Sequence, residues 1–215
     1  MTLDGPRLVP LSGLKPNALV ILIHGYGSNG DDLISLARMI QPALPNAAFV
    51  APNAPSQIPR MAAAYQWWPI ETFSMAERAA GAAAAAPVLD AFITHELEAA
   101  NLPSDRLLLV GFSQGTMMAL HGGLRRPEPV AGIVGISGML VGPERLQAEI
   151  MSRPPVLLIH GTEDDVVPFR SMELASTALT ASGVTVETHV SPGVAHSVGQ
   201  DGLAAATTFA VRTLG

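Results

Sequence analysis

The 215-residue sequence predicts an α/β fold, a mostly parallel central sheet flanked by helices on both faces. Three observations lead there. Short aliphatic runs, each closed by glycine, proline or histidine-glycine, alternate with longer helix-compatible stretches. Most runs are apolar at every position rather than at alternate ones, the pattern of strands covered on both faces. Hydrophobic residues are 48% of the chain and charged residues 14%, which excludes intrinsic disorder and supplies a large core.

Taken in order, Leu19 to Ile23 is a wholly apolar strand that stops at His24-Gly25. Asp31 to Ile40 is a helix, apolar at 33, 36, 37 and 40, with Asn29 or Asp31 as its cap. Ala47 to Ala51 is the next strand, closed by Pro52. Pro52 to Phe73 holds four prolines and both tryptophans and reads as a long functional loop. Ala76 to Ala100 is alanine-rich and helix-prone, and Pro87 within it demands a kink or a break into two helices. Leu107 to Val110 is a strand closed by Gly111 and followed by a helix from Gln114 to Leu124. Val130 to Ile136 and Val156 to Ile159 are further strands. Phe169 to Ala181 is a helix stopped by Gly183. Val184 to Val190 alternates and reads as an edge strand, and Leu203 to Leu214 is the last helix. No internal repeat or long linker interrupts this alternation, so the expectation is a single domain over residues 1–215.

Composition removes several function classes. The net charge is −6, with no lysine or arginine cluster, so nucleic acid is not expected as a partner. The absence of cysteine excludes disulfides, thiolate metal sites and a cysteine nucleophile. No window approaches the roughly 18 consecutive apolar residues of a membrane span. Met1 to Pro10 lacks a basic segment followed by an apolar one, so it does not read as a signal peptide. A soluble, cytoplasmic protein is expected.

Four motifs carry chemistry. Gly111-Phe112-Ser113-Gln114-Gly115 matches G-x-S-x-G, with an apolar strand before it and a helix after it. That setting holds a serine nucleophile on a sharp turn, and the glycines let strand and helix backbones approach closely. His160-Gly161-Thr162-Glu163-Asp164-Asp165 follows another strand, so its acids lie at the carboxyl edge of the sheet. Glu163, Asp164 and Asp165 all qualify as the acid that orients a catalytic imidazole. Gly193-Val194-Ala195-His196 follows the last strand, which favours His196 over His189 as the base. His95 and His121 lie on helices. His24-Gly25-Tyr26-Gly27 follows an early strand, where the Tyr26 amide can join the Gln114 amide in stabilising an oxyanion. The same segment also matches a phosphate-binding G-x-G-x-x-G. Asp31-Asp32 stands where a phosphate would sit, however, and a ribose-binding acid about 20 residues on is missing.

With HGYGSNGDDL from residue 24, APNAP from 51, the tryptophans at 67 and 68, GFSQG from 111, GTEDDVVP from 161 and AHS from 195, the chain resembles the small α/β hydrolases of the carboxylesterase, lysophospholipase and acyl-protein thioesterase family. The resemblance implies an α/β-hydrolase fold without a large lid domain. It implies Ser113 as nucleophile, His196 as base, Asp164 as acid, and the amides of Tyr26 and Gln114 as the oxyanion donors. Three positions depart from the family pattern: Tyr26 where leucine is common, Asp165 where many relatives have proline, and Thr116 where a further glycine is frequent.

The implied reaction is two-step acyl transfer on a small-molecule ester or thioester, including lysophospholipids, with no metal or organic cofactor. Trp67, Trp68, Ile70, Phe73 and Met75 are candidates for an acyl groove, or else pack the loop onto the sheet. Arg60 and Arg78 are the nearby cations for a head group. Competing readings are an acyltransferase or peptidase on the same fold, and a non-catalytic binding protein on a hydrolase scaffold. The expected assembly is a monomer or homodimer.

Overall fold

Strands this apolar must be covered on both faces, and they are. A computed structural model describes residues 3–72 and 74–215. Its elements in chain order are β1 (Arg7–Leu8), β2 (Ala18–Ile23), α1 (Gly30–Ile40), β3 (Ala47–Val50), β4 (Ser56–Gln57), β5 (Tyr65–Gln66), α2 (Met75–Ala100), β6 (Leu107–Phe112), α3 (Gln114–Gly123), β7 (Gly132–Ile136), α4 (Pro143–Glu149), β8 (Val156–Gly161), α5 (Arg170–Ala181), β9 (Val186–Ser191) and α6 (Gln200–Leu214). Seven strands form one sheet in the order β1-β3-β2-β6-β7-β8-β9, and β4 pairs with β5 apart from it. Only the β1–β3 pairing in the large sheet is antiparallel.

Side-chain alternation sorts each strand between two cores. Ile21, Leu107, Leu109, Ile133 and Leu158 face α2, α3, α4 and α5. Val20, Leu22, Leu108, Val134 and Ile159 face α1 and α6. Register then lines up the carboxyl ends of the strands. Ile23 pairs with Gly111, Phe112 with Ile136, and Ile136 with Ile159. The loops that follow β2, β6 and β8 therefore open at one edge.

Local signals act as the sequence predicts at several points. Asn29 caps α1, its Oδ1 accepting from the Asp32 amide at 3.0 Å. Gly183 adopts φ 80° just beyond α5, a left-handed conformation that ends the helix. β9 lies at one edge of the sheet.

Pro87 behaves differently. α2 runs through it as one helix of 26 residues. Pro87 and Ala83, whose carbonyl loses its amide partner there, are both exposed, so water can satisfy that carbonyl. Buried Ala82, Ala85, Leu89, Phe92 and Ile93 hold both halves against the sheet. β1, α4 and the β4–β5 pair were not expected from the sequence.

Burial also sets the acid response. His121 on α3 is buried, and burial together with the neighbouring Arg125 pulls its pKa from 6.5 to about 4. Burial likewise lowers that of His24. The unfolded chain therefore binds protons that the fold refuses between pH 6.5 and about 4. Stability should fall as pH drops through this window, read as the urea midpoint. His121→Gln should flatten that slope, and an unchanged slope would contradict the assignment.

Candidate active site

The G-x-S-x-G segment makes the turn from β6 into α3, and Ser113 is its sharpest point. Ser113 adopts φ 54° and ψ −115°, a sparsely populated conformation for a residue with a side chain. Its amide donates to the Ile136 carbonyl of β7 at 2.9 Å. A Cβ on Gly115 would lie 1.8 Å from the Ile23 carbonyl oxygen, so only glycine lets α3 press onto the end of β2. A Cβ on Gly25 would lie 3.1 Å from the Ser113 Cβ, which places the loop after β2 directly against the serine.

Thr116 locks the turn. Its buried hydroxyl lies 2.8 Å from the carbonyl oxygens of Gly111 and Ile136 and accepts from the Ile136 amide at 2.9 Å. A departure from the common glycine thus ties α3 to both β6 and β7.

His196 lies in the loop after β9. Its Nδ1 is 2.9 Å and 3.0 Å from the two carboxylate oxygens of Asp164. Facing a carboxylate, Nδ1 carries the proton and leaves Nε2 as the free base. The Phe112 ring packs on the imidazole at 5.0 Å between centroids. The Asp164 carboxylate is fully buried and also accepts from the amides of Val166 at 3.0 Å and Val167 at 2.8 Å. Burial alone would raise its pKa. The bonds from His196, Val167 and Val166 outweigh burial and hold the carboxyl below its ordinary value. Glu163 and Asp165 are both exposed, so of the three adjacent acids Asp164 is the one that meets the imidazole.

The loop from His24 is built around a buried imidazole. His24 Nε2 accepts from the Ala54 amide at 2.9 Å, so Nδ1 carries the proton and donates to the Gly25 carbonyl at 2.7 Å. The amides of Tyr26 and Gln114 donate to no other group among the described residues. For Gln114 this follows from its place as the first residue of α3, where helical amides have no partner.

Ser113, His196, Tyr26 and Gln114 line one cavity of about 240 Å³. Trp68 and Ile70 line it as well, and so do Met117, Val166, Val167 and Arg78. Trp67 does not. It is buried in the core, and its Nε1 donates to the His24 carbonyl at 3.0 Å. Of the candidate groove residues, Trp67 therefore packs the loop, whereas its neighbour Trp68 faces the cavity. Phe73 lies outside the described residues. Arg60 lies in a separate surface depression.

Sequence reasoning missed Met117, although it lies one helical turn beyond Ser113. It also missed Val166 and Val167, which follow the acid in its loop. The Gln114 side chain was missed too. Its Oε1 accepts from the Trp67 amide at 2.9 Å and its Nε2 donates to the Trp68 carbonyl at 3.0 Å. One residue thus presents a free amide and clamps the tryptophan loop.

Comparison with known proteins follows the same lines. Residues 8–214 match a family described as phospholipase/carboxylesterase. The sequence is 31% identical over 212 residues to acyl-protein thioesterase 1 of Mycosarcoma maydis, covering 87% of this chain and 88% of that protein. It is 36% identical over 163 residues to acyl-protein thioesterase 1 of Schizosaccharomyces pombe, covering 70% of each. Among solved structures, esterase PE8 matches with a TM-score of 0.96 and 46% identity over the whole of both chains. Zea mays acyl-protein thioesterase 2 matches with a TM-score of 0.73 and 23% identity over 99% of each, a likeness of fold.

The Gln114 clamp makes a direct prediction. Gln114→Ala keeps the main-chain amide but strands the buried Trp67 amide and Trp68 carbonyl. It should destabilise the protein by roughly 1–3 kcal/mol in urea unfolding, the usual cost of an unpaired buried group. A change within about 0.5 kcal/mol, the range of ordinary surface substitutions, would show that the clamp carries no weight.

Proposed function

The chain belongs to the phospholipase/carboxylesterase family, and we propose that it is a serine carboxylesterase that cleaves short- to medium-chain acyl esters through an acyl-enzyme on Ser113. The observation that carries this reading is the shared cavity, where the strained serine, the imidazole backed by a buried carboxylate, and two unspent amides meet.

Each residue has a step. Ser113 Oγ attacks the ester carbonyl while His196 Nε2 takes its proton. The imidazolium is stabilised by the Asp164 carboxylate, whose lowered pKa keeps it ionised. The amides of Tyr26 and Gln114 hold the oxyanion of the tetrahedral intermediate, and each such donor contributes about 2.7–4 kcal/mol. His196 gives its proton to the leaving alcohol. Water then attacks the acyl-enzyme by the same route and frees the acid.

Substrate size follows from the cavity. At about 240 Å³ it lies below the range of roughly 300–1,000 Å³ typical of drug-sized ligands. Trp68, Ile70, Met117 and Val167 give it apolar walls. Each acyl CH₂ they bury contributes about 0.8 kcal/mol, until the chain outgrows the space. The names of the thioesterase relatives make acyl thioesters the second substrate class. No helix of the described residues is long and apolar enough to cross a membrane. The reading includes a cytoplasmic site of action. Each chain carries every group the chemistry uses, so a monomer or a homodimer of single-domain subunits can act.

The test is hydrolysis of p-nitrophenyl esters from acetate to palmitate by wild type and variants. Turnover should peak at short to medium chains and vanish in Ser113→Ala without loss of folding. Asp164→Asn should lose up to about 10⁴-fold in kcat, the loss typical of a triad acid, and Asp165→Asn far less. Turnover retained by pure Ser113→Ala, or a larger loss at Asp165, would overturn the assignment.

A further inference from the structure

Among the described residues, the cavity that holds Ser113 and His196 has one permanently charged side chain in its lining, Arg78. It lies in the first turn of α2 and is half-buried. Its Nη1 points at the Met139 Sδ, 3.1 Å away. A thioether is a weak acceptor, and a guanidinium offers five N–H donors. Among the described residues no carboxylate lies within ion-pair distance of it.

The other arginines that are not exposed are engaged. Arg125 and Arg126 pair with Glu149 and Asp90, and Arg106 donates to the carbonyls of Asn17 and Leu214. Arg78 lines a cavity with apolar walls and, among the described residues, no acidic side chain. A cation there attracts an anion more strongly than one in open water. The net charge of −6 repels anions at long range, so any preference for them must arise locally.

We propose that Arg78 determines specificity by receiving an anionic group, a carboxylate or phosphate, carried by the ester substrate. This rests on the esterase reading of the same cavity. The anion comes either on the acyl chain, as in a dicarboxylic half-ester, or on the alcohol, as in a glycerophosphate ester. The guanidinium geometry suits both, since it donates two parallel hydrogen bonds to either group.

Matched pairs of substrates test it. On the acyl side, mono-p-nitrophenyl glutarate is compared with p-nitrophenyl valerate. On the alcohol side, 1-butyrylglycerol 3-phosphate is compared with 1-butyrylglycerol. The readout is the ratio of kcat/KM for the anionic ester to that for the neutral one within each protein, which cancels any difference in active fraction. Wild type should prefer the anion in at least one pair. Arg78→Met should lower that ratio about tenfold or more, as expected for a charge-assisted hydrogen bond, and Arg78→Lys should retain part of it. The responding pair identifies which side carries the charge. Ratios in Arg78→Met within about twofold of wild type in both pairs would overturn the proposal while leaving the esterase reading intact. If wild type cleaved none of the four esters in a Ser113-dependent way, the esterase reading would fall and the proposal with it.

Discussion

The constraint on which the rest depends is the backbone at Ser113. A non-glycine residue at φ 54° and ψ −115° stores about 1–3 kcal/mol of strain. It persists because its surroundings leave it no alternative. The Ser113 amide is bonded to Ile136, the Thr116 hydroxyl joins β6 and β7 beneath the turn, and Gly115 is pressed against the Ile23 carbonyl. The same packing brings the His24 loop against the serine and leaves the amide of Gln114, which lines the cavity, without a partner among the described residues. Relaxing the turn would therefore move Ser113 together with the amides of Tyr26 and Gln114.

A second constraint is the buried charge behind the imidazole. A carboxylate removed from water is costly unless its oxygens are well supplied with donors. Asp164 has the His196 imidazole and the amides of Val166 and Val167. Those amides belong to the residues that also line the cavity. One short loop thus supplies donors to the Asp164 carboxylate, holds that carboxylate against the His196 imidazole and lines the cavity. Gln114 joins functions in the same way, through its main chain at the serine and its side chain at the tryptophan loop.

Much of this was legible in the sequence because the signals are local. Strands covered on both faces leave uninterrupted aliphatic runs, and the elbow needs its glycines at fixed spacing. What was not legible depends on where a side chain turns after the chain is packed. Residue chemistry leaves Glu163, Asp164 and Asp165 all eligible, the family resemblance singles out Asp164, and the Val166 and Val167 amides draw in only that one. Trp67 and Trp68 are neighbours in an irregular loop with no periodicity to separate core from cavity. β1 and α4 are too short to leave a pattern, and Pro87 is tolerated because its face of α2 is wet. Arg78 was visible as a nearby cation, but its place in the cavity depends on how α2 packs beside the elbow.

The central claim is that Ser113, His196 and Asp164 act as one unit. The most direct measurement is labelling with a fluorophosphonate, which captures only an activated serine, followed by mapping of the adduct by peptide mass spectrometry. The account predicts one adduct per chain, on Ser113, absent in Ser113→Ala and formed far more slowly in Asp164→Asn. Labelling at another residue, or equal rates in wild type and Asp164→Asn, would contradict it.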